Sequence, residues 1–175
     1  MNEIILLKNG EIALKGLNRA SFEELLIKNA RRKLASLGKF NFRKAQSTMY
    51  VEPTSPDQDL EEAENRLSKV FGIAALTRCA VTEKDFDAIC RTAGEYLADT
   101  LEDSRTFKVA AKRSDKAFPM NSPQICAQLG GYLLEKFPHL KVDVNQPDTV
   151  VTVEIRDFGA YIHANQKQGA GGIPV

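Results

Sequence analysis

The sequence predicts an α+β protein of two successive units, and three observations carry that prediction. Short apolar or alternating runs of strand length recur between longer stretches of helical periodicity. In the first half these elements follow the order β-α-β-β-α-β. In the second half a helix, a strand and another helix lead into two closely spaced strands.

The first strand is Glu3–Lys8 (EIILLK), apolar through its centre as a central strand would be. Asn18–Leu37 then places Phe22, Leu25, Leu26, Ala30, Leu34 and Leu37 at helical spacing, and Gly38 stops the helix. Lys28, Arg31 and Arg32 avoid that stripe and so face solvent or a partner. Lys39–Arg43 and Thr48–Glu52 alternate as two strands. Pro53 and Pro56 break the chain ahead of a helix from about Asp57 to Val70 with the stripe Leu60, Ala63, Leu67 and Val70 or Phe71. Gly72 ends it, and IAALTRCAV follows as a strand. This order over residues 1–80 is the split βαβ, ferredoxin-like pattern.

The second unit, residues 81–167, opens near Glu83 with a helix marked by Phe86, Ile89, Cys90, Ala93, Leu97 and Leu101. Arg105–Lys112 alternates as a strand, with Phe107 and Val109 on one face and Lys108 on the other. Asn121-Ser122-Pro123-Gln124 supplies a polar cap, a first-turn proline and a glutamine three residues after the cap, a strong helix start. The stripe Ile125, Leu129, Tyr132, Leu133 and Phe137 carries that helix to Pro138. Thr149–Ile155 and Ala160–Ala164 are the closing strands. The glycine-rich tail from Gln166 is expected to form no element of its own, and residues 168–175 read as a linker to a missing domain.

Hydrophobic residues make up 43% and charged residues 27% of the 175, values of an ordinary globular protein. No apolar run reaches the roughly 20 residues that would span a bilayer, so no membrane is expected. Cys79, Cys90 and Cys126 are widely spaced with no C-x-x-C pair, which points to buried thiols in a reducing cytoplasm rather than zinc or disulfides. The net charge of +1 conceals segregation: Lys28–Lys44 holds seven basic residues and no acidic one, and Arg105–Lys116 holds five against Asp115 alone. Acids crowd between Glu52 and Glu64. Such blocks can present a positive face to a polyanion, or simply a solvated surface.

Catalytic constellations are missing. His139 and His163 have no partner at ligand spacing, and no phosphate loop, dinucleotide fingerprint or nucleophile elbow is present. Glycines 169, 171 and 172 could touch a phosphate, but no helix follows them. Binding is the chemistry left: FKVAAKRSDKAFP sets Lys108, Lys112, Arg113 and Lys116 beside Phe107 and Phe118, and cations with rings suit phosphates and unpaired bases.

Three segments in register extend this reading. GEIALKGLNRASFEELL resembles the start of the bacterial tRNA 4-thiouridine synthetase (tRNA sulfurtransferase) family. FKVAAKRSDKAFPMNSPQI with PDTVVTVEIRDFGAYIHA resembles its THUMP domain, and KQGAGGIPV resembles the stretch before its catalytic domain. The resemblance implies a ferredoxin-like domain followed by an α/β THUMP domain, which together hold the acceptor stem and 3′-CCA end of tRNA. It further implies a separate catalytic domain, with ATP and magnesium, that adenylates uridine 8 and exchanges its oxygen for sulfur. A cysteine desulfurase as sulfur donor, a homodimer, a rhodanese domain in some members and a role in thiamine synthesis belong to the same implication. This chain itself is expected to hold no catalytic residue and no cofactor. Asn9 departs from the family, which commonly has tyrosine there.

Carried over residue by residue, the resemblance makes Lys15 and Arg19 candidates for the duplex part of the acceptor arm. Lys112 and Arg113 become phosphate contacts, with Lys108 and Lys116 extending the track. Ser122 and the amides at its helix start become a site for a terminal phosphate or ribose. Phe118 either stacks on a CCA base or packs behind Pro119. Other readings stay open: the RNA-binding front of a THUMP-containing methyltransferase, pseudouridine synthase or deaminase, a ferredoxin-like small-ligand regulatory module, or an interaction scaffold using the acidic stretch.

Overall fold

A computed structural model describes residues 2–9, 19–45, 48–164 and 167–171, and the chain divides into two compact units. One comprises Glu3–Arg78 together with Gln166–Val175; the other comprises Cys79–Asn165 with Met1–Asn2.

In the first unit the elements are β1 (Glu3–Asn9), α1 (Arg19–Leu34), β2 (Phe40–Ala45), β3 (Thr48–Pro53), α2 (Leu60–Leu67) and β4 (Ile73–Thr82), the last shared with the second unit. The strand order is β2-β3-β1-β4. Ile4, Ile5, Leu6 and Leu7 are all buried, so β1 is covered on both faces, which is why its sequence is continuously apolar rather than alternating. It pairs antiparallel with β3, Ile5 opposite Val51 and Leu7 opposite Met49. Phe22, Leu26, Ala30 and Leu34 of α1 meet Ala63 and Leu67 of α2 over those same strand residues. Asp59 caps α2 by accepting from the Glu62 amide at 3.0 Å. After α2 the chain turns at Gly72, whose φ is 99°; a Cβ there would lie 2.7 Å from the Phe22 ring, so both conformation and space demand glycine.

The second unit continues with α3 (Phe86–Tyr96), α4 (Ala98–Glu102), β5 (Thr106–Arg113), α5 (Ser122–Lys136), β6 (Lys141–Val142), β7 (Thr149–Arg156) and β8 (Gly159–Ala164). Its strand order is β4-β8-β7-β5-β6. β5 and β7 run parallel from Phe107 opposite Thr149 to Arg113 opposite Ile155, joined through α5. β7 and β8 form a hairpin closing at Arg156 opposite Gly159. Phe107, Val151, Val153, Ile155, Ala160 and Ile162 face α3 and α5 in one core.

Two expectations change, and one short strand is added. The single helix to Leu101 is two, α3 and α4, broken at Leu97. The short edge strand β6 went unnoticed because two residues carry no periodicity. The tail does form an element: β9 (Lys167–Gly171) pairs antiparallel with β4, Gly171 opposite Ile73 and Lys167 opposite Leu76. Backbone groups alone make that ladder, so glycine-rich sequence gives no hydropathy signal for it.

Candidate nucleic-acid interface

β5 sorts the basic residues by alternation. Phe107, Val109 and Ala111 turn towards the helices, so Lys108 and Lys112 project from the opposite face of the sheet. Lys108 Nζ reaches the Val144 carbonyl at 3.4 Å, and Lys112, exposed, stands opposite Glu154 in the ladder. Arg113 follows the parity of Phe107. It and Lys112 therefore do not point the same way, although the sequence places them side by side.

Arg113 instead holds the loop from β5 to α5. Its Nη1 donates to the carbonyls of Asp115 (3.2 Å) and Phe118 (3.4 Å). The Asp115 carboxylate accepts from Lys84 Nζ at 2.7 Å and from the Ala117 amide at 3.0 Å. Those two bonds, the Lys84 bond foremost, together with the charges of Lys84 and Arg113, hold the Asp115 carboxyl below its ordinary pKa of 3.8. Lys84 also donates to the Asp157 carbonyl in the β7–β8 turn at 2.9 Å. The Ser114 amide adds a bond to the Ile155 carbonyl at 2.9 Å. Lys116 is exposed on this fastened loop.

Phe118 is a correction. Expected among the RNA-binding residues, it is only 6% exposed and belongs to the core around Ile125 and Leu129. Stacking on a base would require the ring to leave that core, so packing is its role. The capping box at α5 is complete: Asn121 Oδ1 accepts from the Gln124 amide and Gln124 Oε1 from the Asn121 amide, both at 2.9 Å. Pro123 has no N–H and the Gln124 amide is used, so the anion-binding capacity of the helix start narrows to Ser122, its amide and its hydroxyl.

On the first unit the basic block Lys28–Lys44 is partly neutralised. Arg43 pairs with Glu52 at 2.8 Å, Lys44 with Glu23 at 2.9 Å, and the Arg31 guanidinium lies 5.1 Å from the centre of the Phe42 ring. Lys28, Arg32, Lys33 and Lys39 are exposed and make no ion pair among the described residues. Lys15 lies outside the described residues, and Arg19 is the first residue of α1.

Sequence reasoning missed a buried charge network on the sheet face opposite the helices. Glu154 bonds Arg156 Nη2 through Oε1 and lies 2.8 Å from His163 Nε2 through Oε2, all three nearly inaccessible. Val-Glu-Ile-Arg reads as plain alternation, and only its register with β8 reveals the pairing. His139 Nε2 lies 3.0 Å from the Leu101 carbonyl and ties α5's exit to α4. Burial, with a smaller effect of Asp87, pushes the Cys90 thiol up to about 11, and burial also raises Cys126, so neither is a thiolate at neutral pH. Among the described residues no helix is long and apolar enough to cross a membrane, and no group of three His, Cys, Asp or Glu could hold a metal.

The two units correspond to two known domain families. Residues 4–77 match the ThiI ferredoxin-like domain model and residues 83–164 the THUMP domain model. A probable tRNA sulfurtransferase from Acetivibrio thermocellus is 42% identical over the whole chain, which spans 45% of that protein's length. Among solved structures, a protein from Pyrococcus horikoshii Ot3 is 31% identical with a TM-score of 0.82, covering all of this chain and 57% of that one. A 4-thiouridine synthetase in complex with RNA and bound ATP is 29% identical with a TM-score of 0.79, covering all of this chain and 44% of its own. Through this ordered pair of domains, the chain belongs to the tRNA sulfurtransferase family.

Proposed function

We propose that this chain is the tRNA-holding portion of an enzyme that makes 4-thiouridine at position 8 of tRNA. It grips the acceptor stem and the 3′-CCA end. The observation that carries the reading is the likeness, along the whole chain, to a 4-thiouridine synthetase that binds RNA. The fastened β5–α5 loop supports it, because a held loop bearing Lys116 and leading to Ser122 suits phosphate binding. Lys108 and Lys112, on the other face of β5, give a second cationic track.

In this reading adenylation and sulfur transfer belong to a separate catalytic domain that uses ATP and magnesium. A cysteine desulfurase supplies sulfur to the whole enzyme, which acts as a cytoplasmic homodimer. The residues described here bind and orient RNA; none performs the chemistry.

The test is binding of the chain to tRNA and to an acceptor minihelix, with and without CCA, across salt concentrations. Affinity should fall with salt at a log–log slope of roughly −0.7 to −0.9 per neutralised phosphate, and should drop when CCA is removed. Equal weak binding to every RNA would reduce the basic surface to a generic one. No binding at low salt would sink the reading.

A further inference from the structure

Lys84 belongs to none of the motifs above, yet it joins three segments distant in sequence. Its backbone is fixed immediately before α3, whose cap Asp85 accepts from the Ala88 amide at 3.0 Å. From there its ammonium spans the Asp115 carboxylate and the Asp157 carbonyl, tying the β5–α5 loop to the β7–β8 turn. Asp115 uses its other oxygen on the Ala117 amide, and its carbonyl accepts from Phe118 (3.3 Å) and from Arg113. Lys84 and Asp115 are 35% and 13% exposed, so the pair is partly shielded from water. Lys116 stands between Asp115 and the two amides, of Ala117 and Phe118, that Asp115 anchors.

We propose that Lys84 is a positioning residue for RNA: through Asp115 it holds the β5–α5 loop in its binding shape, so that Lys116 and Ser122 meet phosphate without first being ordered. This inference rests on the RNA-binding reading above. Its physical basis is that a loop immobilised before binding loses no conformational entropy when the ligand arrives. Lys84 itself makes no phosphate contact in this account. Its charge is spent on Asp115.

The opposed signs of the pair make the test sharp. Asp115→Asn removes a negative charge beside a polyanion site, so electrostatics alone would tighten RNA binding. Positioning requires the opposite. The acceptor minihelix ending in CCA is titrated against the chain, Asp115→Asn, Lys84→Met, Lys84→Arg and Lys116→Ala at several salt concentrations. Amide exchange at Ala117 and Phe118 is followed in the same proteins without RNA. Asp115→Asn and Lys84→Met should each weaken binding about two- to tenfold, the cost of ordering a few side chains and their loop. Their salt slopes should stay at the parent value, and exchange at Ala117 should quicken. Lys84→Arg should recover most of the affinity, whereas Lys116→Ala should lower the slope by about one contact.

Tighter binding by Asp115→Asn, a slope loss in Lys84→Met equal to that of Lys116→Ala, or unchanged affinity despite faster exchange would each overturn the proposal. Should the parent chain fail to bind RNA, the functional reading falls and the RNA role of Lys84 with it. Exchange at Ala117 would still decide whether Lys84 holds the loop.

Discussion

Individual side chains in this protein divide into those that hold and those that are left to bind. Glu154 is the extreme of the first kind, with no exposed surface and both carboxylate oxygens engaged by Arg156 and His163. Glu154→Ala would remove a buried carboxylate that bonds both the Arg156 guanidinium and His163, and we expect a loss of about 3–5 kcal/mol, read from the urea midpoint at constant slope. An unchanged midpoint would mean that water enters the site. Arg113 shows how far a motif reaches. Its place beside Lys112 was legible in the sequence, but strand parity sends the two apart, and part of its guanidinium is committed to the Asp115 and Phe118 carbonyls. The exposed position of Lys116 and the helix start at Ser122 could be placed from the sequence, because the turn and the helix cap are local. Lys84 could not, since its partners lie in loops brought close only by the sheet.

Among elements, legibility follows length and locality. α5 was readable to within a residue at its start, because Asn121, Pro123 and Gln124 form a signal within a single turn. That signal carries energy as well: Asn121→Ala should cost about 0.5–2 kcal/mol, and Gln124→Ala should cost less once Asn121 is already gone, the mark of reciprocal bonds in a double-mutant cycle. Strictly additive losses would show that the two act separately. The continuous apolar run of β1 signalled a covered strand, and the alternation of β5 signalled its inner face. The break at Leu97 could not be read, because Leu97 and Leu101 are both buried and keep the stripe running through the interruption. β6 and β9 share the opposite defect: they are held by backbone pairing and carry no apolar pattern of their own.

For the molecule as a whole, the arrangement of the chain matters more than any single contact. The ferredoxin-like unit is not one stretch of sequence, for β9 returns to β4 after all of the THUMP domain has been laid down. Ending the chain at Ala164 should therefore quicken amide exchange along Ile73–Leu76 and lower the melting temperature of the first unit, while the core around Phe107 and Leu129 keeps its protection. Unaltered exchange along Ile73–Leu76 would show that β9 adds nothing to that sheet. The return also sets an order of events on the ribosome. The first four strands and two helices emerge early, but their last ladder must wait until Gly171 has left the exit tunnel. Bringing Lys167 back to Leu76 through a disordered intervening chain carries a large loop-closure entropy. Once β8 has zipped against Ala80–Thr82, only the short connection after Ala164 remains to be closed. Folding of the inserted domain thus lowers the entropic barrier to finishing the domain that began before it, so a nascent chain completes both together rather than one after the other.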